Sequence, residues 1–502
     1  MATLPFPFSG IEFRALGPPR YEQLSEAVVL AIRDGRLRPG DRLPPVRRLA
    51  ADLGVSVTTV TAAFELLQDQ KLIRAEVGRG TFVAASAAAD PPTPPAARSA
   101  RSEVAPWRRR SLMTLGARLR ARYPDAVDCS TGRPDVTLLP MQVLQRSWTT
   151  ALQGSTAADL QYAGPDVLNA LVQPLAALLE RDGIDVTPEH LLIGSSAQQW
   201  MMLALEVSSE LRGVERPRVA IEEPGYPTIM DAYERAGAAL IPVAVDEEGA
   251  LPDSLDRACA AGAAMALLTP RAQNPTGATW SRQRRNALGA VLAAHPRVIA
   301  VEDDPFADVA STSPGSLLSE ANIADRVIYI RSFAKSIAPD LRIAAAAARP
   351  RLRALLAEAK SFSDGWTSRL LQRTLAIALK DDEIGELLTA ARDAYRERRA
   401  RAAEAINLAL RPHGAGTWCG PDGVNLWVHL PAGCDANDVV ERAAAGGVRV
   451  APGEPFFIRP GRGNVVRLNA GSVAAEHAFE AGRIVGDAAV ASRSKGHGLI
   501  HV

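Results

Sequence analysis

The stretch Arg326–Ala344 reads RVIYIRSFAKSIAPDLRIA. It opens with an apolar run of strand type, and Lys335 follows in a turn of small residues. Four earlier runs have the same character, each short, apolar and ending in small, polar or charged residues: HLLIGSS (190–196), RVAIEEP (218–224), AMALLTP (264–270) and VIAVEDD (298–304). Because helix-like segments lie between these runs, the pattern predicts an α/β fold with a mostly parallel sheet covered by helices.

The carboxyl ends of parallel strands meet at one edge of a sheet, where ligand groups collect. We therefore predict that the chemistry lies in five segments: Gly194–Gln199, Glu222–Tyr226, Thr269–Gly277, Asp303–Phe306 and Ser332–Arg342. No G-x-G-x-x-G follows a strand and no G-x-x-x-x-G-K-[ST] occurs, so dinucleotide and P-loop nucleotide sites have no support.

Together the five segments resemble fold-type I pyridoxal 5′-phosphate (PLP) proteins of the aminotransferase class, over about Tyr123–Val485. PLP chemistry needs a lysine for a Schiff base, a carboxylate at the pyridine nitrogen, an anchored phosphate and a flat partner for the ring. The resemblance implies that Lys335 is the Schiff-base lysine and the catalytic residue, and that Asp303 pairs with the pyridine nitrogen.

The same resemblance implies the remaining cofactor contacts. Asn274 would bind the phenolic oxygen and Tyr226 would stack on the ring. The phosphate would be held by the N–H groups of Ser196, Ala197 and Gln198, by Ser332 and Arg342, and, from a neighbouring subunit, by Tyr162. A contact from a second subunit implies a homodimer. On the substrate or effector side, Arg467 in NVVRLNAG matches a carboxylate-binding arginine, and Arg133 lies near the expected entrance.

Three residues of the body depart from the family pattern. Phe306 stands where many active aminotransferases have Tyr, and Ser196 and Val167 each stand where Gly is frequent. Loss of the tyrosine hydroxyl removes one hydrogen bond to the cofactor, so these departures bear more on fast amino-group transfer than on cofactor binding.

The N-terminal part of the chain predicts a different fold. Leu24, Val28 and Ile32 share one face of a helix that ends before Gly35. A second helix around Val46–Leu53 ends at Gly54, and Ser56 is the expected N-cap of a third. Two short strands, 72–74 and 80–83, then flank a β-wing. Helix, glycine-containing turn and helix is the pattern of a helix-turn-helix.

LPPVRRLA, LGVSVTTV and GRGTFV, in this order, resemble the GntR-type winged helix. The resemblance implies contacts with a double-stranded DNA operator from six residues: Arg47, Ser56, Thr58, Thr59, Thr61 and Arg79. Val57 replaces an arginine that many members have at that position. A winged helix used only for protein contacts is the alternative.

The predicted organisation is a winged helix over 17–86, a Pro/Arg-rich linker over 87–122, a PLP-binding body with a smaller C-terminal α/β subdomain over 123–490, and a tail over 491–502. Segment 87–122 has eight basic and two acidic residues. Its five prolines, at 91, 92, 94, 95 and 106, favour an extended tether. Its arginines are either solvated or follow DNA phosphates.

Composition limits the other possibilities. The chain has 502 residues, a formal net charge of +1 and only 5% aromatics, so its cores must be built mainly from Ala, Leu, Val and Ile. Its four cysteines are far apart and form no C-x-x-C pair, which favours reduced thiols and no metal site. With no signal-peptide pattern and no long apolar run, we expect a cytoplasmic protein without membrane contact.

A GntR-type winged helix followed by an aminotransferase-like body is the layout of MocR-subfamily transcriptional regulators. The resemblance implies a PLP-dependent DNA-binding regulator that senses PLP, or an amino-acid or amine effector, through aldimine formation at Lys335. The alternatives are an active PLP-dependent aminotransferase with an accessory DNA-binding domain and a PLP-free dimerisation scaffold.

Overall fold

The computed structural model describes residues 20–33, 37–69, 72–76, 80–84, 106–164, 166–461 and 463–496. The chain divides into two compact units, 1–99 and 100–502. Among the described residues no single helix is long and apolar enough to cross a membrane. In the described part of the chain, one bent helix pair, Val46–Leu53 with Val57–Gln68, has sufficient length and apolar composition when the two helices are taken together.

The first unit has the predicted winged-helix elements, which are α1 (Arg20–Arg33), α2 (Val46–Leu53), α3 (Val57–Asp69), β1 (Ile73–Glu76) and β2 (Gly80–Val83). Gly54 ends α2 in a left-handed conformation with φ of 64°, which glycine adopts without strain. β1 and β2 pair antiparallel as the two strands of the wing. The three helices and the wing enclose an apolar core that includes Leu24, Val28, Leu49, Val60 and Phe64.

The second unit begins with a helix where the sequence analysis predicted an extended linker. α4 (Trp107–Arg122) is helical throughout, and Leu119 is buried in the body. The prediction of an extended tether is therefore wrong for 107–122. Proline composition misled the analysis, because all five prolines precede the helix and the last of them, Pro106, is its N-cap.

The body then alternates helices and strands along the chain. After β3 (Val127–Asp128) its strands are β4 (Leu191–Gly194), β5 (Arg218–Glu223), β6 (Ala239–Asp246), β7 (Gly249–Ala250), β8 (Met265–Leu268), β9 (Ile299–Asp304), β10 (Val327–Ser332) and β11 (Ala344–Ala348). The intervening and following helices are α5 (Met141–Gln153), α6 (Asn169–Arg181), α7 (Ala197–Arg212), α8 (Pro227–Arg235), α9 (Pro252–Ala260), α10 (Arg282–Ala294), α11 (Pro350–Ser363), α12 (Arg369–Ala378) and α13 (Ile384–Leu410).

An eight-stranded sheet forms the centre of the body, in the order β4-β11-β10-β9-β8-β5-β6-β7. The pairs β10–β9, β9–β8, β8–β5 and β5–β6 are parallel, as predicted, whereas β11 runs antiparallel to both of its neighbours. Leu191 and Ile193 pack into one core and Leu192 into another, so helices cover both faces of the sheet.

The smaller subdomain has its own sheet, β12-β13-β16-β15, built from β12 (Gly416–Trp418), β13 (Asn425–His429), β15 (Ala451–Pro452) and β16 (Val465–Asn469). α14 (Ala436–Ala445) and α15 (Ala475–Gly496) pack on it, and β14 (Val448–Arg449) pairs with β3. α15 continues past residue 490, where the tail was predicted to begin.

Candidate functional site

A cavity of about 640 Å³ lies within the body. It is lined by all but one of the predicted cofactor and effector residues, namely Arg133, Ser196, Ala197, Gln198, Tyr226, Asn274, Asp303, Ser332, Lys335, Arg342 and Arg467. Phe306 lines it as well. Strand ends and the turns after them supply most of these side chains, so the parallel sheet assembles the site.

Asp303 is the fifth residue of β9, and it is half-buried with its Oδ1 atom out of contact with solvent. Its Oδ1 atom has no hydrogen-bond partner among the described residues. Burial, together with the negative charge of the neighbouring Asp304, raises the pKa of this carboxyl to about 7, and the positive charge of Lys335 opposes the rise. A buried carboxyl without a partner, facing a cavity, suits a ligand that brings its own cationic N–H group.

Lys335 lies in the turn after β10, inside the same cavity. Its Nζ donates a hydrogen bond to the carbonyl oxygen of Gly132. Burial, together with the positive charges of Arg467 and Arg133, lowers the pKa of Lys335 to about 8, and the carboxyl of Asp303 opposes this lowering. The uncharged, nucleophilic amine is therefore more populated near neutral pH than in an ordinary lysine.

One end of the cavity is built to hold an anion. Ser196 caps α7, its Oγ accepting from the N–H of Gln199 at 3.1 Å, and first-turn N–H groups of a helix lack intrahelical acceptors. Those of Ala197 and Gln198 therefore remain for a ligand, at the positive end of the helix dipole. Ser332 and Arg342 line the cavity too, and Arg342 has a φ of 52°, unusual for a residue with a side chain.

Arg467, on β16, lies on the effector side of the cavity. Its guanidinium donates to Asn274 Oδ1 at 2.9 Å and to the carbonyl of Ser130 at 2.6 Å. It also lies over the ring of Phe456, with 4.8 Å from Cζ to the ring centroid. Burial lowers the pKa of Arg467 to about 10. Since no acidic side chain among the described residues forms an ion pair with it, Arg467 is suited to a carboxylate ligand.

Tyr162 is the one predicted cofactor residue that does not line the cavity. It is 88% exposed, and its ring contacts that of Trp366 edge-on at 5.3 Å. Tyr226 lines the cavity as the N-cap of α8, and Phe306 forms a buried part of its lining. Val167 is buried in the core rather than in the cavity.

One wall of the cavity was not predicted from the sequence. Leu112, Met113, Leu115, Gly116 and Arg120, all on α4, line it together with the predicted residues. A signal was present, because the leucines at 112, 115 and 119 have helical spacing. The carbonyl of Gly132, Asn425 and Phe456 were missed as well, and these have no distinctive sequence signal.

The winged helix places the other predicted residues on and before α3. Ser56 caps α3, because its Oγ accepts from the N–H of Thr59 at 3.1 Å, and it also lies 2.7 Å from Thr58 Oγ1. Thr61 donates to the carbonyl of Val57 and stays exposed, as does Arg47 on α2. Arg79 lies outside the described residues. Arg42, which was not predicted, lies against Gly80 at the start of the second wing strand.

The groups around the cavity fit PLP. An amine, a buried carboxyl without a partner and an anion-binding helix start correspond to the aldehyde, the pyridine nitrogen and the phosphate of that cofactor. The described residues contain no group of three or more His, Cys, Asp or Glu side chains placed to hold a metal ion.

Fold and cavity therefore define a winged-helix DNA-binding unit joined to an aminotransferase-type body. Residues 20–83 match the family of bacterial regulatory proteins, gntR family, and residues 130–477 match aminotransferase class I and II. The second match covers most of the body and includes every predicted cofactor residue.

Relatives with both units identify the family. The chain is 33% identical over 464 residues to the HTH-type transcriptional regulator TauR of Rhodobacter capsulatus, an alignment that covers 87% of this chain and 89% of TauR. It is 31% identical over 433 residues to the vitamin B6 salvage pathway transcriptional repressor PtsJ of Salmonella typhimurium, covering 84% of this chain and 88% of PtsJ. The chain belongs to the MocR-type GntR regulators, which confirms the prediction.

A solved structure supports the body's fold independently. LysN, an α-aminoadipate aminotransferase from Thermus thermophilus crystallised with N-(5′-phosphopyridoxyl)-L-leucine, matches with a TM-score of 0.65 and 27% identity. The match covers 77% of this chain and 95% of LysN. The protein is thus a transcriptional regulator with a PLP-type aminotransferase-like body, and the predicted fold class and cofactor are confirmed.

Proposed function

We propose that the chain binds a double-stranded DNA operator and that PLP, or an amino compound joined to PLP at Lys335, sets its affinity for that operator. The proposal is carried by one observation: Lys335 and Asp303 line a single cavity, and Oδ1 of Asp303 has no hydrogen-bond partner among the described residues. A ligand changes DNA affinity only if it binds two states of the protein differently.

Each cavity residue has a part in holding the cofactor. When bound, PLP supplies an aldehyde carbon and a ring that withdraws electrons. The Nζ of Lys335 provides the amine that holds the aldehyde, and the lowered pKa keeps part of that amine uncharged. Asp303 keeps a proton at the pyridine nitrogen, and the start of α7 with Ser332 and Arg342 binds the phosphate.

The amino compound is best an amino acid, because Arg467 offers a buried guanidinium to a carboxylate. Arg467 donates to a neutral side chain and a backbone carbonyl, and an incoming carboxylate is a stronger acceptor than either. Arg133 lines the cavity and lowers the pKa of Lys335, which places its positive charge near the same ligand.

Exposed apolar side chains support the homodimer. Met141, Trp148 and Leu152 recur on one face of α5 and are all exposed. Val136, Leu160 and the largely exposed Tyr162 lie in the turns before and after that helix in sequence. A group of exposed apolar residues on one element is typical of an interface, and a second copy would bring Tyr162 within reach of its partner's cofactor phosphate.

The winged helix would read DNA with α3. The start of α3 presents hydroxyls from Ser56, Thr58 and Thr61 beside free N–H groups, an arrangement suited to phosphates and base edges. Arg47 is exposed near the start of α2 and is suited to phosphate. Arg79 completes the proposed set on sequence grounds.

A second candidate function, amino-group transfer, is favoured by the presence of Arg467 and Lys335 in one cavity. Against amino-group transfer, Phe306 brings a buried phenyl group to the position where many active aminotransferases have a tyrosine hydroxyl. Steady transfer of amino groups from an L-amino acid to a 2-oxo acid would favour the enzyme, whereas a single turnover or none would favour the regulator.

The experiment combines absorption and DNA binding on the full chain. PLP is titrated into purified protein and into Lys335→Ala, with Lys380→Ala, an exposed lysine, as the matched control. We expect the absorption of covalently held PLP in the parent and the control but not in Lys335→Ala. DNA from upstream of the chain's own coding region should then bind with an affinity that changes at least fivefold on adding PLP. Identical DNA affinity with and without PLP and with added amino acids would contradict the proposal.

A further inference from the structure

α4 joins the two parts of the body across the cavity. Near its start, Arg108 is fully buried and its Nη1 atom lies 2.9 Å from Asp231 and 2.6 Å from Glu234, both on α8. The backbone N–H of Arg109 donates to Asp231 at 2.8 Å. Helix α8 starts directly after Tyr226 and packs against the large sheet. The start of α4 is therefore attached to the element that carries a proposed ring-stacking residue.

The other end of α4 is attached to the smaller subdomain. Arg122 and Arg118 contact Glu441 on α14, at 2.6 Å and 3.2 Å. Leu119 is buried in the core beneath α14 and β16. Exposed ion pairs contribute little by themselves, so the buried leucine is the stronger attachment here. α4 thus spans from one part of the body to the other.

The middle of α4 lies in the cofactor cavity and contacts the group on which Arg467 rests. Leu112 packs against the cluster that contains Phe456, and the Phe456 ring carries the Arg467 guanidinium at 4.8 Å. Gly116 and Arg120 line the cavity one and two turns further on. A carboxylate bound to Arg467 would therefore lie next to the cluster against which α4 packs.

The position of α4 in the chain sets it apart from the other elements that line the cavity. α4 is the first described element after residues 85–105, the segment that connects the winged helix to the body in sequence. A change in the position or rigidity of α4 is consequently applied at the C-terminal end of that connection. The other cavity-lining elements all follow α4 in the chain, so the whole of α4 separates them in sequence from that connection.

We infer that α4 is the element that responds to a ligand in the cavity. A carboxylate-bearing ligand on Arg467 rigidifies α4 through Phe456 and Leu112. Arg108 holds α4 on α8, so that the change in α4 reaches the connection to the winged helix. This inference rests on the proposed function. It assigns a role in effector response to residues 107–122, and it makes Leu112 and Arg108 positioning residues that act through the ligand-binding groups.

The first test measures amide hydrogen exchange over residues 107–122 in the full chain, without ligand, with PLP, and with N-(5′-phosphopyridoxyl)-L-leucine, a stable adduct that adds a carboxylate. We expect exchange in α4 to slow at least fivefold more with the adduct than with PLP alone. Equal exchange with the two ligands would overturn the inference. This readout needs no DNA, so it stands even if DNA affinity proves insensitive to PLP and the proposed function fails.

The second test uses Leu112→Ala, with Leu408→Ala, an exposed leucine on α13, as the matched control. At adduct concentrations that saturate each variant, we expect Leu112→Ala to lose most of the change in DNA affinity caused by the adduct, measured against the variant's own ligand-free DNA affinity. Arg108→Met, read by the same assay, should lose that change as well. If the adduct changes the DNA affinity of Leu112→Ala as much as that of the Leu408→Ala control, α4 is not the element that responds to the ligand.

Discussion

The hydroxyl of Ser336 donates a hydrogen bond to Oδ2 of Asp308 at 2.6 Å, and both residues are buried. Ser336 follows Lys335 directly, and Asp308 lies in the short helical turn after Phe306. Asp308 also accepts from Nε of Arg331 at 3.1 Å. The turn that carries Lys335 is therefore fastened to the segment that follows β9.

A second set of contacts fixes Asp303 in the same way. Its neighbour Asp304 lies 2.9 Å from Nε of Arg271 and accepts from the hydroxyl of Tyr329 at 2.7 Å. Asp182 connects the two sets, since it contacts Arg331 at 2.5 Å and Arg271 at 3.5 Å. Because buried ion pairs and hydrogen bonds restrict the groups they join, this network fixes the relative positions of Lys335 and Asp303.

Ser336→Ala tests that positioning. The variant loses a hydrogen bond to a charged acceptor, and we expect PLP affinity to fall about tenfold, which corresponds to about 1.4 kcal/mol. An absorption titration with PLP measures it, and the pH at which the absorption of bound PLP changes should shift as well. Ser361→Ala, an exposed serine at the end of α11, is the control. Ser336→Thr, which keeps the hydroxyl, should restore part of the affinity; a merely structural loss would leave the pH profile unchanged.

The raised pKa of Asp303 predicts how stability depends on pH without cofactor. Its carboxyl has a folded pKa of about 7 against an ordinary value of 3.8. The folded state thus binds a proton that the unfolded state has lost between these values. That contribution to stability is full below pH 4 and disappears as the pH rises through 7. Asp303→Asn removes this dependence.

We therefore expect the free energy of unfolding of Asp303→Asn, relative to the parent, to rise by about 4 kcal/mol between pH 4 and pH 8, from a shift of about three pKa units. Urea unfolding of the cofactor-free protein at each pH measures this. Asp253→Asn, at an exposed position on α9, is the control. A constant difference between variant and parent would show that Asp303 is not a buried, proton-binding carboxyl.

The sequence predicted the five strands whose ends build the site because each combines an apolar run with an abrupt polar end. It did not predict β11, five consecutive alanines between β4 and β10. Alanine has no strand preference, so only the crowding between two helix-covered faces places it there. The network around Asp308 was not predictable either. In the sequence Arg331 is simply the polar end of a strand, and its partners Asp308 and Asp182 come close to it only when the chain is folded.

Arg108, in the predicted linker, is another residue whose environment could not be predicted from the sequence. Three consecutive arginines suggested a solvated or DNA-contacting run, and burial of the first was not expected. Asp231 and Glu234, which neutralise it, lie more than 120 residues later. Charge pairing between residues so far apart leaves no local pattern in the sequence. The helical spacing of the α4 leucines, by contrast, is visible in the sequence.

Arg47→Gln tests the proposed phosphate contact on α2. If Arg47 binds a phosphate, affinity for the operator and for unrelated DNA should fall by a similar factor, about five- to tenfold, and the slope of log K against log salt should decrease by about one. Fluorescence anisotropy over a range of salt concentrations gives both quantities. Arg483→Gln, an exposed arginine on α15, is the control. A loss confined to the operator would instead assign Arg47 to a base edge.

Leu152→Glu tests the homodimer proposed on α5. Leu152 is 51% exposed and lies on the same face of α5 as Trp148 and Met141. If this face is buried between two copies, a carboxylate there loses its hydration without a partner, and the dimer dissociation constant should rise at least a hundredfold. Sedimentation velocity over a concentration series measures it. Leu408→Glu makes the same change at an exposed position on α13 and should leave the dimer intact.

If the dimer needs this face to bring Tyr162 to the partner's cofactor phosphate, Leu152→Glu should also weaken PLP binding, and the loss should diminish at protein concentrations that restore the dimer. A variant that stays dimeric, or a parent chain that is monomeric throughout, would contradict the assignment of this surface.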